Sequence, residues 1–412
     1  MIDEGGTPPG RFESLRVPDF KRLWWGGIFV FLAMQTQQIA RSWLAFELTG
    51  TNTALGGVLI GFGIAGLIAI PIGGVLADRF NKRTILIVTQ LVNTVTAFTL
   101  AIAIETGAIA YWMLVAASVV GGSSISILAP ARIAMTADLV DRRLLTNAII
   151  LGTMSIQASR VVGPAAAGVM IGISAVGVEG VYYLSAALSA VSVALTLTLP
   201  QGAPSRPTGR SPINDLRDGI SYVRARPELV RLLTMSLLVI MFGFGHVVFL
   251  PAVISDLYTR GPVFLGYLTA AAAIGAVIAA VVLANTDRSR LTLLQGRAAV
   301  SIGVFVILFA VMPGFWAALI VMFGLGASMS AFQSLNGSLV LSIADMEYHG
   351  RVQSLIMFSY SAFGLAALPF GIIADRTGLR ETMVGMGLAV LAASLLGSIW
   401  RRRITRTTIP AL

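Results

Sequence analysis

The chain has 412 residues, 56% hydrophobic and 12% charged, with a mean hydropathy of +0.85. Soluble domains carry about 25% charged residues, so this composition excludes a soluble enzyme or binding module and points to a polytopic helical membrane protein. The net charge of +10 would suit nucleic acid, but its placement in short loops reads as membrane topology, and the absence of cysteine excludes disulfides and thiolate metal sites.

The polar N-terminus, residues 1–22, reads as a cytoplasmic tail with a short surface helix around Phe12 to Val17 and no cleavable leader. A ~20-residue yardstick then places twelve spans, at about 23–47, 54–76, 84–104, 111–131, 147–171, 178–199, 232–254, 263–284, 297–313, 315–341, 352–374 and 383–400. The alternating ~10-residue segments of a β-barrel are absent. Spans six and seven are separated by the longest polar stretch, residues 201–231. Pro204, Pro207 and Pro212 make its first part a linker. Leu216, Ile220 and Val223 then share one face, as in a helix lying on the membrane surface. The expected organisation is a six-helix half over 23–200, the linker, a second half over 232–400, and a cytoplasmic tail over 401–412. With the N-terminus inside, 24 of the 29 basic residues are cytoplasmic, and only Arg260, Arg376 and Arg380 are external. That bias puts both termini in the cytoplasm.

The loop between spans two and three carries the strongest pattern, Gly74-Val-Leu-Ala-Asp78-Arg79-Phe-Asn-Lys82-Arg83. Gly74 lets a neighbouring helix approach, and Asp78 can hydrogen-bond a helix terminus or pair with a cation such as Arg132. Arg79, Lys82 and Arg83 are expected to face anionic headgroups. A worn copy follows span eight at Asp287-Arg288, and a better one follows span eleven, Gly371-Ile-Ile-Ala-Asp375-Arg-Thr-Gly378-Leu-Arg380, on the expected external side. The Gly74–Arg83 spacing resembles the loop between helices two and three of the major facilitator superfamily of secondary transporters, with Asn81 where a glycine is usual. Gly163-Pro164 with Gly168 resembles the Gly-Pro motif of drug/proton antiporters in that superfamily. Pro18-Asp-Phe-Lys-Arg-Leu-Trp24, Glu47-Leu-Thr-Gly50 and Gly350-Arg351-Val352 resemble bacterial exporters of the enterobactin-exporter and macrolide-efflux type. The resemblance implies twelve transmembrane helices in two halves related by a pseudo-two-fold axis. It also implies alternating access driven by an ion gradient, with protons as the coupling ion.

The residues depart from that pattern in two places. Span four lacks a mid-membrane arginine, and no Asp or Glu falls deep within a span, so proton coupling rests on the resemblance alone. The candidate substrate pathway consists of Gln35, Gln38 and Arg41, spaced along one face of span one, with Gln157 and Arg160, His246, Gln333 and Asn336. Met34, Phe242, Phe332 and Tyr360 are candidates for an adaptable apolar wall. Arg41 can snorkel to external headgroups or meet an anionic substrate. Arg160 can bond carbonyls freed by Pro164 or meet that substrate. His246 reads as a packing residue or a titrating one. The candidate gating set is Gly74, Asp78, Arg79, Lys82, Arg83, Arg132, Gly163, Pro164, Asp287, Arg288, Gly350 and Arg351.

There is no Walker loop, and His246 and His349 are the only histidines, so neither an enzyme nor a cofactor or metal is expected. The reading is a monomeric secondary active exporter of amphipathic small molecules, of drug or siderophore type, in the inner membrane of a bacterium. Its partners are the substrate, the coupling ion and membrane lipids, not nucleic acid. The alternative is a non-transporting lipid-handling or receptor-like protein of the same fold.

Overall fold

A computed structural model describes residues 10, 12–201, 212–283 and 290–408, without the side chains of 70–75, 77–79, 212–216, 346, 350, 354, 357, 360, 361 and 402–408. Among the described residues there is no strand. The first half comprises α1 (Pro18–Thr49), α2 (Asn52–Arg79), α3 (Lys82–Glu105), α4 (Tyr111–Leu139), α5 (Arg142–Ile171) and α6 (Gly177–Leu197). A short helix, α7 (Pro212–Arg224), precedes the second half. That half comprises α8 (Pro227–Leu257), α9 (Val263–Leu283), α10 (Leu291–Val311), α11 (Phe315–Ile343), α12 (His349–Thr377) and α13 (Leu379–Thr408).

Local chemistry sets the helix ends. Pro18 opens α1 at its first position, where the missing N–H costs nothing, and Gly50 closes it in the left-handed region at φ 63°. The Thr51 hydroxyl accepts the Ala54 N–H at 3.3 Å to cap α2. Most helices outrun the expected spans; α1 adds five residues before Leu23 and two after Glu47. Nine helices among the described residues are long and apolar enough to cross a membrane. The other long ones, α1, α5 and α12, have 32, 30 and 29 residues and are more polar. Polar groups on a spanning helix face protein or water rather than lipid, so such helices belong inside the bundle.

The two halves repeat one packing scheme. In the first, α1 packs on α5 and α6, α2 on α4, and α3 on α4 and α6. In the second, α8 packs on α12 and α13, α9 on α11, and α10 on α11 and α13. The repeat extends to single glycines. A Cβ on Gly122 of α4 would lie 2.2 Å from the Phe62 carbonyl of α2, and one on Gly326 of α11 would lie 1.9 Å from the Ala272 carbonyl of α9. The halves meet chiefly along two seams, α2 with α12 and α5 with α9. The starts of α1, α3, α5 and α8 and the ends of α4, α6 and α11 lie on one side of the bundle, the terminal face, joined by the Ser14–Asn147, Arg132–Leu23, Arg83–Leu197 and Arg226–Asp345 contacts; the other side is the far face.

Two termini of this scheme differ from expectation. Before α1 the chain forms a single 3-10 turn, Glu13–Arg16, rather than a free surface helix. Its Ser14 hydroxyl bonds Asn147 at 2.6 Å, and Glu13 pairs with Arg143, so the turn is strapped to the start of α5. The Gly10 N–H and Arg143 hold the Glu13 carboxyl below its ordinary pKa. The helix expected on the membrane surface, α7, packs on the second half. Tyr222 and Val223 of α7 are buried against Leu339, Val340 and Ile356. Tyr222 stacks on Tyr348 at 3.8 Å, Arg226 lies 3.8 Å over Tyr222, and Arg351 lies 5.1 Å over Tyr348. Arg226 also pairs with Asp345 at 2.8 Å. The two guanidiniums flank the aromatic stack and add cation–π attraction to its packing.

Candidate transport pathway and gates

The α2–α12 seam closes the far face through backbone contact. A Cβ on Gly56 would lie 2.4 Å from the Ala367 carbonyl, and one on Gly371 would lie 2.4 Å from the Asn52 carbonyl. Asp375, in the last turns of α12, sits over the N-terminus of α2. It accepts the backbone N–H of Asn52 at 2.8 Å and of Thr53 at 2.8 Å, the Asn52 Nδ2 at 3.0 Å and the Thr53 hydroxyl at 2.5 Å. A helix N-terminus has unpaired N–H groups and a positive dipole end, so a carboxylate is the fitting cap. Here the cap comes from the other half of the molecule. The α5–α9 seam is closed by glycines: a Cβ on Gly168 would lie 2.3 Å from the Gly266 Cα.

The polar residues of the expected pathway separate into two groups. Gln38, Gln157 and Arg160 are exposed although they lie in the middle of their helices. α1 packs on its own half and also meets the Gly245–Ala252 stretch of α8. Arg160 Nη1 donates to Gln157 Oε1 at 3.3 Å on α5, rather than to a freed carbonyl. α5 continues through Pro164 without a break; the proline's missing N–H leaves the Arg160 carbonyl without its helical donor. Gly163 lets α1 approach, since a Cβ there would lie 2.6 Å from the Gln35 Cβ. Gln35 and Gln333 are half-buried, and Phe242 and Phe370 pack at 5.6 Å.

Asn336, His246 and Phe332 lie inside the second half instead. Asn336 accepts from Gln295 Nε2 at 3.1 Å and donates to the Ser236 hydroxyl. His246 is 2% exposed, with Nδ1 2.8 Å from the Gly243 carbonyl and its ring edge-on to Phe309. It sits between two wider π turns of α8, Val239–Gly243 and Val253–Leu257. Phe332 is 1% exposed.

At the terminal face the expected headgroup contacts give way to protein contacts. Lys82 is 6% exposed and pairs with Asp138 at 2.7 Å, so it ties α3 to α4. Arg83 donates to the Leu197 carbonyl and thus caps the C-terminus of α6. Arg132 is buried, donates to the Leu23 carbonyl at 3.0 Å and lies 5.4 Å from the Phe31 ring. Gly27 makes its room, since a Cβ there would fall 1.7 Å from the guanidinium. Asp287 and Arg288 lie outside the described residues, as do the side chains of Gly74, Asp78, Arg79, Gly350 and Tyr360. The described partners of the Arg132 guanidinium are the Leu23 and Trp24 carbonyls of α1.

Two helical halves of one packing scheme thus meet along two glycine-backed seams. Residues 10–408 match the family described as transmembrane secretion effector, of the major facilitator superfamily. The chain belongs to that family. It is 28% identical to the enterobactin exporter EntS of Shigella flexneri over 84% of this chain and 83% of that one. It is 23% identical to a staphyloferrin A transporter of Staphylococcus aureus (strain NCTC 8325 / PS 47), over 91% of this chain and 94% of that one. Among solved structures, a bacterial homologue of the human lysosomal transporter Spinster, described as inward-facing and occupied, superposes with a TM-score of 0.75 at 15% identity. That match covers 97% of this chain and 98% of the other. The protein is thus a multi-pass membrane transporter and not an enzyme.

Two features of this transporter are not among the residues singled out from the sequence. Asp375 belongs to the motif copy after span eleven, and the copy itself was the available signal. The other is a hydroxyl stripe on α6, Ser185, Ser189, Ser192 and Thr196, all buried against α1 and α3. Its spacing of four, three and four residues is one helical face. Ser185 bonds Thr36 at 2.8 Å, Ser192 bonds the Gly26 carbonyl at 2.7 Å, and Thr196 bonds Gln90 at 3.1 Å. The stripe leads to Arg41, which is buried in the interior of the first half rather than at its outer surface.

Proposed function

We propose that the protein is a secondary active exporter of acidic, amphipathic small molecules of siderophore type, working by alternating access as a monomer in a bacterial inner membrane. The observation that carries this reading is the contrast between the clamped far face and the exposed Gln38, Gln157 and Arg160 of α1 and α5. The bias of basic residues toward the terminal-face loops supports a cytoplasmic terminal face. On this reading substrate is loaded from inside while Asp375 holds the outside shut. Arg160 is the fixed cation on the path, and a guanidinium binds carboxylate or catecholate oxygens in a fork. The names of the two siderophore-handling relatives agree with that chemistry.

Protons are the proposed coupling ion. The acids placed to take part are Glu47 of α1 and Asp256 of α8, which line one cavity of about 320 Å³ at the far face. Uptake into inside-out vesicles tests the reading. A panel of catecholate and hydroxycarboxylate siderophores and cationic dyes is offered with and without an imposed proton gradient. Gradient-dependent accumulation of acidic compounds supports it. Accumulation of none of them above vesicles lacking the protein contradicts it, and accumulation indifferent to the gradient contradicts the coupling.

A further inference from the structure

Arg41 is 7% exposed, and among the described residues it makes no ion pair. Its Nη1 donates to the Ser118 hydroxyl of α4 at 2.8 Å, but its Nε has no partner. One turn earlier on α1, Gln37 is 3% exposed and its Nε2 also has none. Tyr182 of α6 is fully buried beside the guanidinium, which reaches its hydroxyl oxygen, and its own O–H has no acceptor. Gly121 of α4 places no side chain against the guanidinium; a Cβ there would still be 3.6 Å from Nη1. Gln37 and Arg41 stand one turn apart on α1 and Tyr182 lies against the guanidinium, so this part of the half carries three buried donors without an acceptor beside one permanent charge. Glu47, the acid nearest along α1, is exposed on the far face.

A buried cation without a counter-charge costs at least about 2.5 kcal/mol in a spanning helix, and buried donors left unmade add to that cost. Water would satisfy the donors but not the charge. We propose that the interior of the first half holds a small monovalent anion of chloride size, bound by Arg41 Nε, Gln37 Nε2 and the Tyr182 hydroxyl, with Ser118 fixing the guanidinium. The site lies among α1, α4 and α6, apart from the exposed Arg160 of α5. Its occupant is therefore a resident of the fold and not the cargo.

Thermal unfolding of the purified full-length protein tests this, in sodium chloride, bromide, nitrate or gluconate at one ionic strength and with no siderophore present. The expected result is a saturable rise in Tm with chloride and bromide and none with gluconate, as mass action requires of a ligand of the folded state. Arg41→Gln removes the rise. Tyr182→Phe and Gln37→Leu keep the charge and the packing, and each raises the half-saturating chloride concentration by about tenfold. A bromide anomalous peak beside Arg41 would locate the ion. Equal Tm values in chloride and gluconate overturn the proposal, leaving water only. So does a chloride effect unchanged in both Tyr182→Phe and Gln37→Leu, which keeps the test decisive even if Arg41→Gln does not fold.

Discussion

Asp375 accepts four hydrogen bonds from two consecutive residues of the opposite half, and each would have to break for the far face to open. The carboxylate is exposed, so solvent weakens the set to about 1–2 kcal/mol in total. Asp375→Asn turns one acceptor into a donor facing donors. It should shift the balance toward far-face opening by about tenfold, read as faster thiol labelling of Thr53→Cys from the far side. Unchanged labelling would reduce the clamp to a helix cap. Arg160→Gln removes the fork without a change of fold. Export of acidic substrates should fall about tenfold or more while cationic dyes are spared; equal loss of both would make Arg160 structural. Gly27 and Arg132 share one space, so Gly27→Ala should cost about 1–3 kcal/mol. The lower Tm should be partly restored by Arg132→Met, which vacates that space. Lys82 and Arg132 were legible as terminal-face cations but not as buried ones. Their partners, Asp138 and the Leu23 carbonyl, are 56 and 109 residues away in the chain, beyond the reach of any local pattern.

At the scale of elements, the seams are glycine-backed and intolerant of volume. Gly371→Val places a branched side chain against the Asn52 carbonyl, where even a Cβ is too close at 2.4 Å. The wedge should hold the far face open at normal membrane levels, with transport lost and Thr53→Cys permanently reactive; protected labelling with full transport would place the gate elsewhere. The docked α7 makes a different prediction. Tyr222→Ala removes the centre of the Arg226–Tyr222–Tyr348–Arg351 stack, so protease cleavage between α6 and α8 should speed up severalfold while α8 to α13 stay resistant. Hydropathy located the helices because lipid demands continuous apolar runs. It misjudged their ends because α1, α4 and α5 continue past the apolar stretch on polar residues that pair with protein. The amphipathic face of α7 was legible, but such a face is equally suited to a membrane and to a neighbouring helix pair.

Over the whole molecule, the two-half architecture was readable from the spans, the loop motif and the charge bias, because each reflects a constraint that the bilayer imposes everywhere. Burial divides residues that the sequence had grouped as one candidate pathway. A polar residue in a spanning helix announces that it avoids lipid but not which interior it enters. Gln38, Gln157 and Arg160 are exposed on α1 and α5, whereas Arg41, His246 and Asn336 are buried within one half. The motif copy at Asp375 was visible yet ambiguous, since its sequence does not show that the N-terminus of α2 lies under it. The cysteine-free chain permits a direct test of alternation. A single Gln38→Cys is treated with a membrane-impermeant thiol reagent from each side, in the wild-type background and with Gly371→Val. Labelling from the terminal face alone in the first, and from the far face in the second, is the expected result. Labelling of the unwedged protein from the far face alone, or from neither side in both backgrounds, would contradict it.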